Sequence, residues 1–172
     1  MLVRTLMTMT AVMAIGLAAC EEAAEPETAF EEEDWATQVR AVEAGEAEEI
    51  RIETSGITDA DLEALASLDQ LKHLSLGRAQ ITEAGLQRIA SVPGVTLLRL
   101  VGADIDDEAL AHVSGMADLR YLMLYDVPLT DEGLRHLHDL DQLESFYFTG
   151  TYITDAGIRE LMQALPDLHV HW

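Results

Sequence analysis

An acid follows a threonine at recurring places in this chain: Thr58-Asp59, Thr82-Glu83, Thr130-Asp131 and Thr154-Asp155, with Asp106-Asp107 standing in the remaining one. Carboxylates in numbers suggest calcium, but calcium needs about six to eight oxygens converging on one point. Recurrence at every helix start points instead to capping: the hydroxyl meets a free backbone N–H, and the acid faces the positive end of the helix dipole. His169 and His171 alternate onto one face and could share a metal, yet such sites take about three or four ligands. The adjacent strand offers only Ser145 and Tyr147 there. Glu49 and Glu53 share a face, but they lie on the first strand of the array. No serine stands in a nucleophile-elbow context. Gly85, Gly133 and Gly157 fall within helices and make no phosphate cradle. These residues assign no catalytic site, no metal and no cofactor, and the expectation is a protein that is not an enzyme.

The same acids mark a repeat. Ile57, Ile81, Ile105, Leu129 and Ile153 are each 24 residues apart, a period that signals a solenoid or similar array. Each unit opens with an alternating pair: Ile50-x-Ile52, Leu74-x-Leu76, Leu98-x-Leu100, Leu122-x-Leu124, Phe146-x-Phe148 and Val170-x-Trp172. Such alternation is a strand with one buried face. Between strands, Leu62/Leu65/Leu68, Leu86/Ile89/Val92, Leu110/Val113/Met116 and Leu134/Leu137/Leu140 line one side of a helix. Ahead of the array, Asp34 can cap a helix carrying Trp35, Val39 and Val42 on one face, and Gly45 stops it. This is the pattern of an N-terminal cap, with Trp35 as a core plug. Trp172 is expected to close the other end.

The period also assigns the strand positions that point away from the core. One column reads Glu49, His73, Leu97, Tyr121, Ser145, His169; the next reads Arg51, Ser75, Arg99, Met123, Tyr147, His171; the third reads Glu53, Gly77, Val101, Tyr125, Thr149. Acids occur here only on the first strand. Leu97, Val101, Tyr121, Met123, Tyr125 and Tyr147 form one patch around Arg99, and Tyr, Met and Arg are enriched at interface cores. The competing reading is that Tyr and Val simply suit strands. His73 has no obvious carboxylate partner in this pattern, and His136 and His138 are expected to be solvated.

The whole chain carries 32 acids against 10 bases, a net charge of −22. That balance excludes nucleic acid as a partner, since Lys and Arg supply affinity for phosphates. It reads mainly as solubility and self-repulsion, and otherwise as attraction of a cationic partner. The only cysteine is Cys20. Arg4 precedes an apolar run from Leu6 to Ala19, too short to span a bilayer and typical of an export signal. The string Leu17-Ala18-Ala19-Cys20 resembles the bacterial lipobox. The resemblance implies cleavage before Cys20, acylation of Cys20, and a lipid anchor in the membrane of a bacterial cell envelope; without it, the segment reads as an ordinary signal peptide. The parts are then a signal peptide over 1–19, Cys20 and an acidic disordered tether over 20–33, a capping helix over 34–45 and a repeat domain over 46–172.

From Glu46 onward the chain resembles the leucine-rich repeat family. The consensus L-x-x-L-x-L-x-x-N-x-L is met by Leu71, Leu74, Leu76 and Ile81, and by Leu119, Leu122, Leu124 and Leu129. The following T-D-A-G-L-x-x-L resembles a helical bacterial subtype. The resemblance implies an α/β solenoid with parallel strands on the concave face and helices on the convex face. One departure stands out: the usual Asn or Cys position holds Ser55, Ala79, Ala103, Val127 and Thr151. The ladder of side chains that stitches successive turns is therefore expected to be absent or weak. The functional expectation is a membrane-anchored, non-enzymatic module that binds a protein or peptide on its concave face. The alternative is a structural or self-associating envelope lipoprotein with no dedicated ligand site.

Overall fold

The computed structural model describes residues 34–53 and 56–172. The export signal, Cys20, the acidic tether with Phe30, and Ser55 lie outside the described residues. The described residues begin with α1 (Trp35–Glu43) and β1 (Glu49–Ile52), followed by a 3₁₀ turn over Asp61–Ser67. Then come β2 (His73–Gly77), α2 (Glu83–Ala90), β3 (Leu97–Val101) and a second 3₁₀ segment, Ala109–Gly115. β4 (Tyr121–Tyr125) leads to α3 (Asp131–Leu134), which tightens into 3₁₀ over Arg135–Leu137. β5 (Ser145–Thr149), α4 (Asp155–Ala164) and β6 (His169–His171) complete the array. The six strands form one parallel sheet in sequence order. This is an α/β leucine-rich repeat solenoid.

The register follows the period. Ile50, Leu74, Leu98, Leu122, Phe146 and Val170 are successive partners. All are buried except Val170, which is half-buried on the last strand. Behind them, the helix-side positions from Leu62 to Leu140 that the spacing singles out are also buried. Ala79, Ala103 and Val127 fill the unusual consensus position and are buried too, so small apolar residues do pack where Asn is customary. After β2, β3, β4 and β5 the chain turns at Arg78, Gly102, Asp126 and Gly150, all with positive φ between 51° and 70°.

The N-terminal end is closed by α1. Asp34 accepts from Thr37 N at 2.9 Å, and Gly45 takes a φ of +70° just past the helix. Val39 and Val42 are buried and Trp35 packs against the core. Gln38 also covers the exposed edge of β1: its amide nitrogen donates to Arg51 O at 2.8 Å, and its amide oxygen accepts from Arg51 N at 2.7 Å. One side chain thereby imitates a neighbouring strand. The C-terminal end differs from the expectation. Trp172 is 81% exposed and lines a cleft of about 450 Å³ instead of plugging it.

Candidate functional site

The repeats are stitched together by side chains that the Asn position did not reveal. Asp59 Oδ1 accepts from Thr82 N at 3.0 Å, and its Oδ2 accepts from Thr82 Oγ1 at 2.5 Å. Asp107 binds Thr130 in the same two ways at 2.8 and 2.5 Å. Asp131 binds Thr154 at 2.7 and 2.6 Å. Each pair spans 23 residues, one turn of the solenoid. These carboxylates therefore also bind the start of the next helix, while Asp131 and Asp155 still stand in the first turn of their own; successive turns are stitched here and not at the customary Asn position. Thr82, Thr130 and Thr154 do cap, each accepting from the N–H two residues on. The two hydrogen bonds from Thr154, hydroxyl first and backbone N–H second, hold the Asp131 carboxyl below the usual carboxylate range.

Where the ladder breaks, the helix changes. Glu83 reaches His112, inside the next helical segment, at 3.2 Å rather than the residue at its start, and Asp106 caps Ala109 N at 2.9 Å. In the first repeat Thr58 does not cap; it donates through N and Oγ1 to Asp61 Oδ2, at 2.9 and 2.8 Å. The helical segments of these two repeats, Asp61–Ser67 and Ala109–Gly115, are 3₁₀ and lack a side-chain bond at the N-cap. The three repeats that start with a laddered threonine start α-helical.

The concave columns assemble as the period predicts. Leu97 lies beside Tyr121 and Tyr121 beside Ser145; Arg99, Met123 and Tyr147 are successive partners; Val101 pairs with Tyr125. Leu97, Arg99, Val101, Tyr121, Met123, Tyr125 and Tyr147 are all half-buried, none fully exposed. Stacking against neighbouring strands hides one side of each and leaves the other toward the concavity.

The face has two halves. On the N-terminal half, charges pair off. Arg51 lies 3.3 Å from Glu49, and His73 Nδ1 lies 4.0 Å from Glu49, so His73 does have a carboxylate neighbour. Arg99 reaches past β2 to Glu53, with Nη1 3.0 Å from each carboxylate oxygen. It can do so because β2 presents only Ser75 and Gly77 beneath it. Ser75 Oγ accepts from Arg99 at 3.2 Å, and a side chain at Gly77 would crowd the Glu53 backbone, with its Cβ 2.9 Å from the carbonyl oxygen. The guanidinium also sits 5.7 Å from the Tyr125 ring centre, within cation–π range. Glu53, Ser75 and Gly77 thus belong with Arg99; the signal was the small pair lying between opposite charges in adjacent columns.

The C-terminal half is aromatic. Tyr147 stacks on His171, with ring centres 4.3 Å apart and planes 9° from parallel. Tyr121 donates to Glu144 at 3.0 Å, and that carboxylate also pairs with Arg120. The bond to Glu144 holds the Tyr121 phenol above its ordinary range. Among the described residues, no group of three or more His, Cys, Asp or Glu side chains comes together to hold a metal. His136 and His138 are half-buried rather than solvated, and His138 Nε2 is buried without a hydrogen-bond partner.

The chain matches no family model and no curated protein. Its structure is similar to an internalin from Listeria monocytogenes, with a TM-score of 0.60 at 22% identity over 77% of this chain and 36% of that one. It is similar to the actin-binding site 2 segment of leiomodin-1, with a TM-score of 0.57 at 17% identity over 76% of this chain and 87% of that one. A leucine-rich repeat protein of Leptospira interrogans gives 0.50 at 18% identity, over 78% and 39% of the two chains. The chain thus spans little more than a third of the internalin and of the Leptospira protein. These likenesses show the fold.

Proposed function

We propose that this chain is a non-enzymatic binding module that holds a protein or peptide in its concave face. The observation that carries the reading is the contrast between this face and the rest. In a chain of net charge −22, the concave acids Glu49 and Glu53 are matched by Arg51, His73 and Arg99. Beside them lie the half-buried Leu97, Val101, Tyr121, Met123, Tyr125 and Tyr147. Rigid aromatic rings with polar tips bind at low entropy cost. The leiomodin segment of the same fold is described as an actin-binding site, which is consistent with the use of this fold as a protein-binding surface. The partner's chemistry follows from the face: an apolar segment to lie against the tyrosines, with basic flanks suited to the acidic surround. Nucleic acid is unsuited to that field.

The module is tethered to a bacterial envelope membrane through acylated Cys20. Two or more acyl chains give stable anchoring where a single chain does not, and the acidic residues 21–33 supply reach. Radiolabelled palmitate should enter the native chain and not a Cys20→Ala variant; equal labelling would remove the anchor.

The test of the binding face is capture from envelope extract by the chain and by a Tyr121→Ala/Tyr125→Ala/Tyr147→Ala variant whose fold is verified by circular dichroism. A protein held by the first and lost by the second supports the concave site. Identical capture by both would refute it.

A further inference from the structure

Three tyrosines of the concave face surround one methionine. Tyr121, Met123 and Tyr125 alternate along β4, and Arg99 and Tyr147 flank Met123 in the same row on β3 and β5. At about 3.3 Å per residue, Tyr121 and Tyr125 stand about 13 Å apart. Tyr147 is backed by its stack on His171. The polar groups around this patch are unbalanced. Its acceptors are committed: Glu49 to Arg51, Glu53 and Ser75 to Arg99, Glu144 to Arg120 and Tyr121. Its donors are not. Every hydrogen bond of Arg99 leaves from Nη1. The rest of that guanidinium and the hydroxyls of Tyr125 and Tyr147 have no hydrogen-bond partner among the described residues.

We propose that the concave face takes a proline-rich segment in the polyproline II conformation, with a basic residue beyond Tyr125. This rests on the concave-face reading above and names its ligand. Proline brings a carbonyl and no N–H, and a polyproline II backbone makes no internal hydrogen bonds, so its carbonyls are free to accept. The segment therefore offers acceptors to a face that offers donors. An extended peptide or a saccharide brings N–H or O–H donors as well, and finds the carboxylates taken. At a rise of about 3.1 Å per residue, about four residues reach from Tyr121 to Tyr125. Proline rings then lie against tyrosine rings, as they do in other aromatic-lined grooves. The basic flank follows from Asp126, which comes directly after Tyr125. Its carboxylate is exposed and makes no hydrogen bond or ion pair among the described residues. A cationic flank also suits a chain of net charge −22.

The probe is the synthetic peptide APPLPPARR, titrated calorimetrically into the full chain in detergent beside AAALAAARR, which has the same charge. Saturable binding of the first is expected, with the second about tenfold weaker or worse, since it must also order its backbone. Tyr125→Phe and Tyr147→Phe keep the ring and lose the hydroxyl. Each should weaken the proline peptide about threefold to tenfold, a loss that purely apolar contact would not produce. Asp126→Asn should weaken it by a smaller factor, and only while the arginines are present. Equal binding of the alanine peptide, indifference to both Phe variants, or no binding at millimolar proline peptide overturns the proposal. If capture from envelope extract still depends on the three tyrosines in that case, the concave site stands with a different occupant. If that dependence is absent too, both readings fall.

Discussion

A methyl group added at Gly157 would overlap the Asp131 carboxylate, and one added at Gly133 would lie 2.6 Å from Asp107 Oδ1. The glycine of each T-D-x-G string is thus an opening for the acid of the previous turn. The third repeat supports this reading: the preceding acid there is Glu83, no ladder bond forms, and the position holds Ala109. In an ordinary helix interior, Gly→Ala stabilises by about 1 kcal/mol. Here Gly157→Ala is expected to destabilise by about 1–3 kcal/mol, because it displaces a hydrogen-bonded carboxylate. In an Asp131→Ala background the cost should shrink without changing sign, because the Cβ that remains at position 131 lies 2.8 Å from the added methyl. Urea unfolding of the four proteins measures the difference. The ladder also sets an acid limb. The folded chain holds Asp131 below its unfolded range, so its stabilisation is present above the usual carboxylate range and is lost as pH falls through the lowered value. Stability curves should therefore lose part of their acid slope in Asp131→Asn.

Whole elements respond to the same local bonds. Helix type follows the ladder: α where a threonine receives the previous acid, 3₁₀ where the repeat caps itself. The turn after each of β2 to β5 demands positive φ whatever the residue, and Arg78 at 51° pays that cost without glycine's freedom. Arg78→Gly is expected to raise stability by about 1 kcal/mol in urea unfolding. At the other extreme, Gln38 replaces a whole neighbouring strand for β1. Gln38→Ala leaves the Arg51 N–H and C=O unpaired at a sheet edge. It should cost about 1–2 kcal/mol, seen as a melting point lower by roughly 3–6 °C.

For the molecule as a whole, charge and geometry are kept apart. Acids crowd the surface, while the concave face neutralises its own and leaves tyrosines, Met123, Leu97 and Val101 toward a partner. Self-repulsion of net charge −22 should make stability rise with salt, most steeply below about 0.15 M, where the Debye length exceeds about 8 Å. A thermal melting series in sodium chloride would show it; a flat response would mean that the charges are too well dispersed to matter.

Read alone, the sequence determined the solenoid, the strand register and the three concave columns. A constant 24-residue period combined with two-residue alternation leaves each side chain one face to occupy. Only the tertiary structure decided where the polar groups reach. A threonine followed by an aspartate is the same local string whether or not the acid also reaches the helix start 23 residues on, and only the close approach of the next turn makes that second contact. The pair Glu53–Arg99 is 46 residues apart in the chain, and it forms because Ser75 and Gly77 leave the path open. Trp172 had the composition of a plug. In the fold its ring instead lines a cleft with Ile153, Ile158 and Met162 and stays 81% exposed.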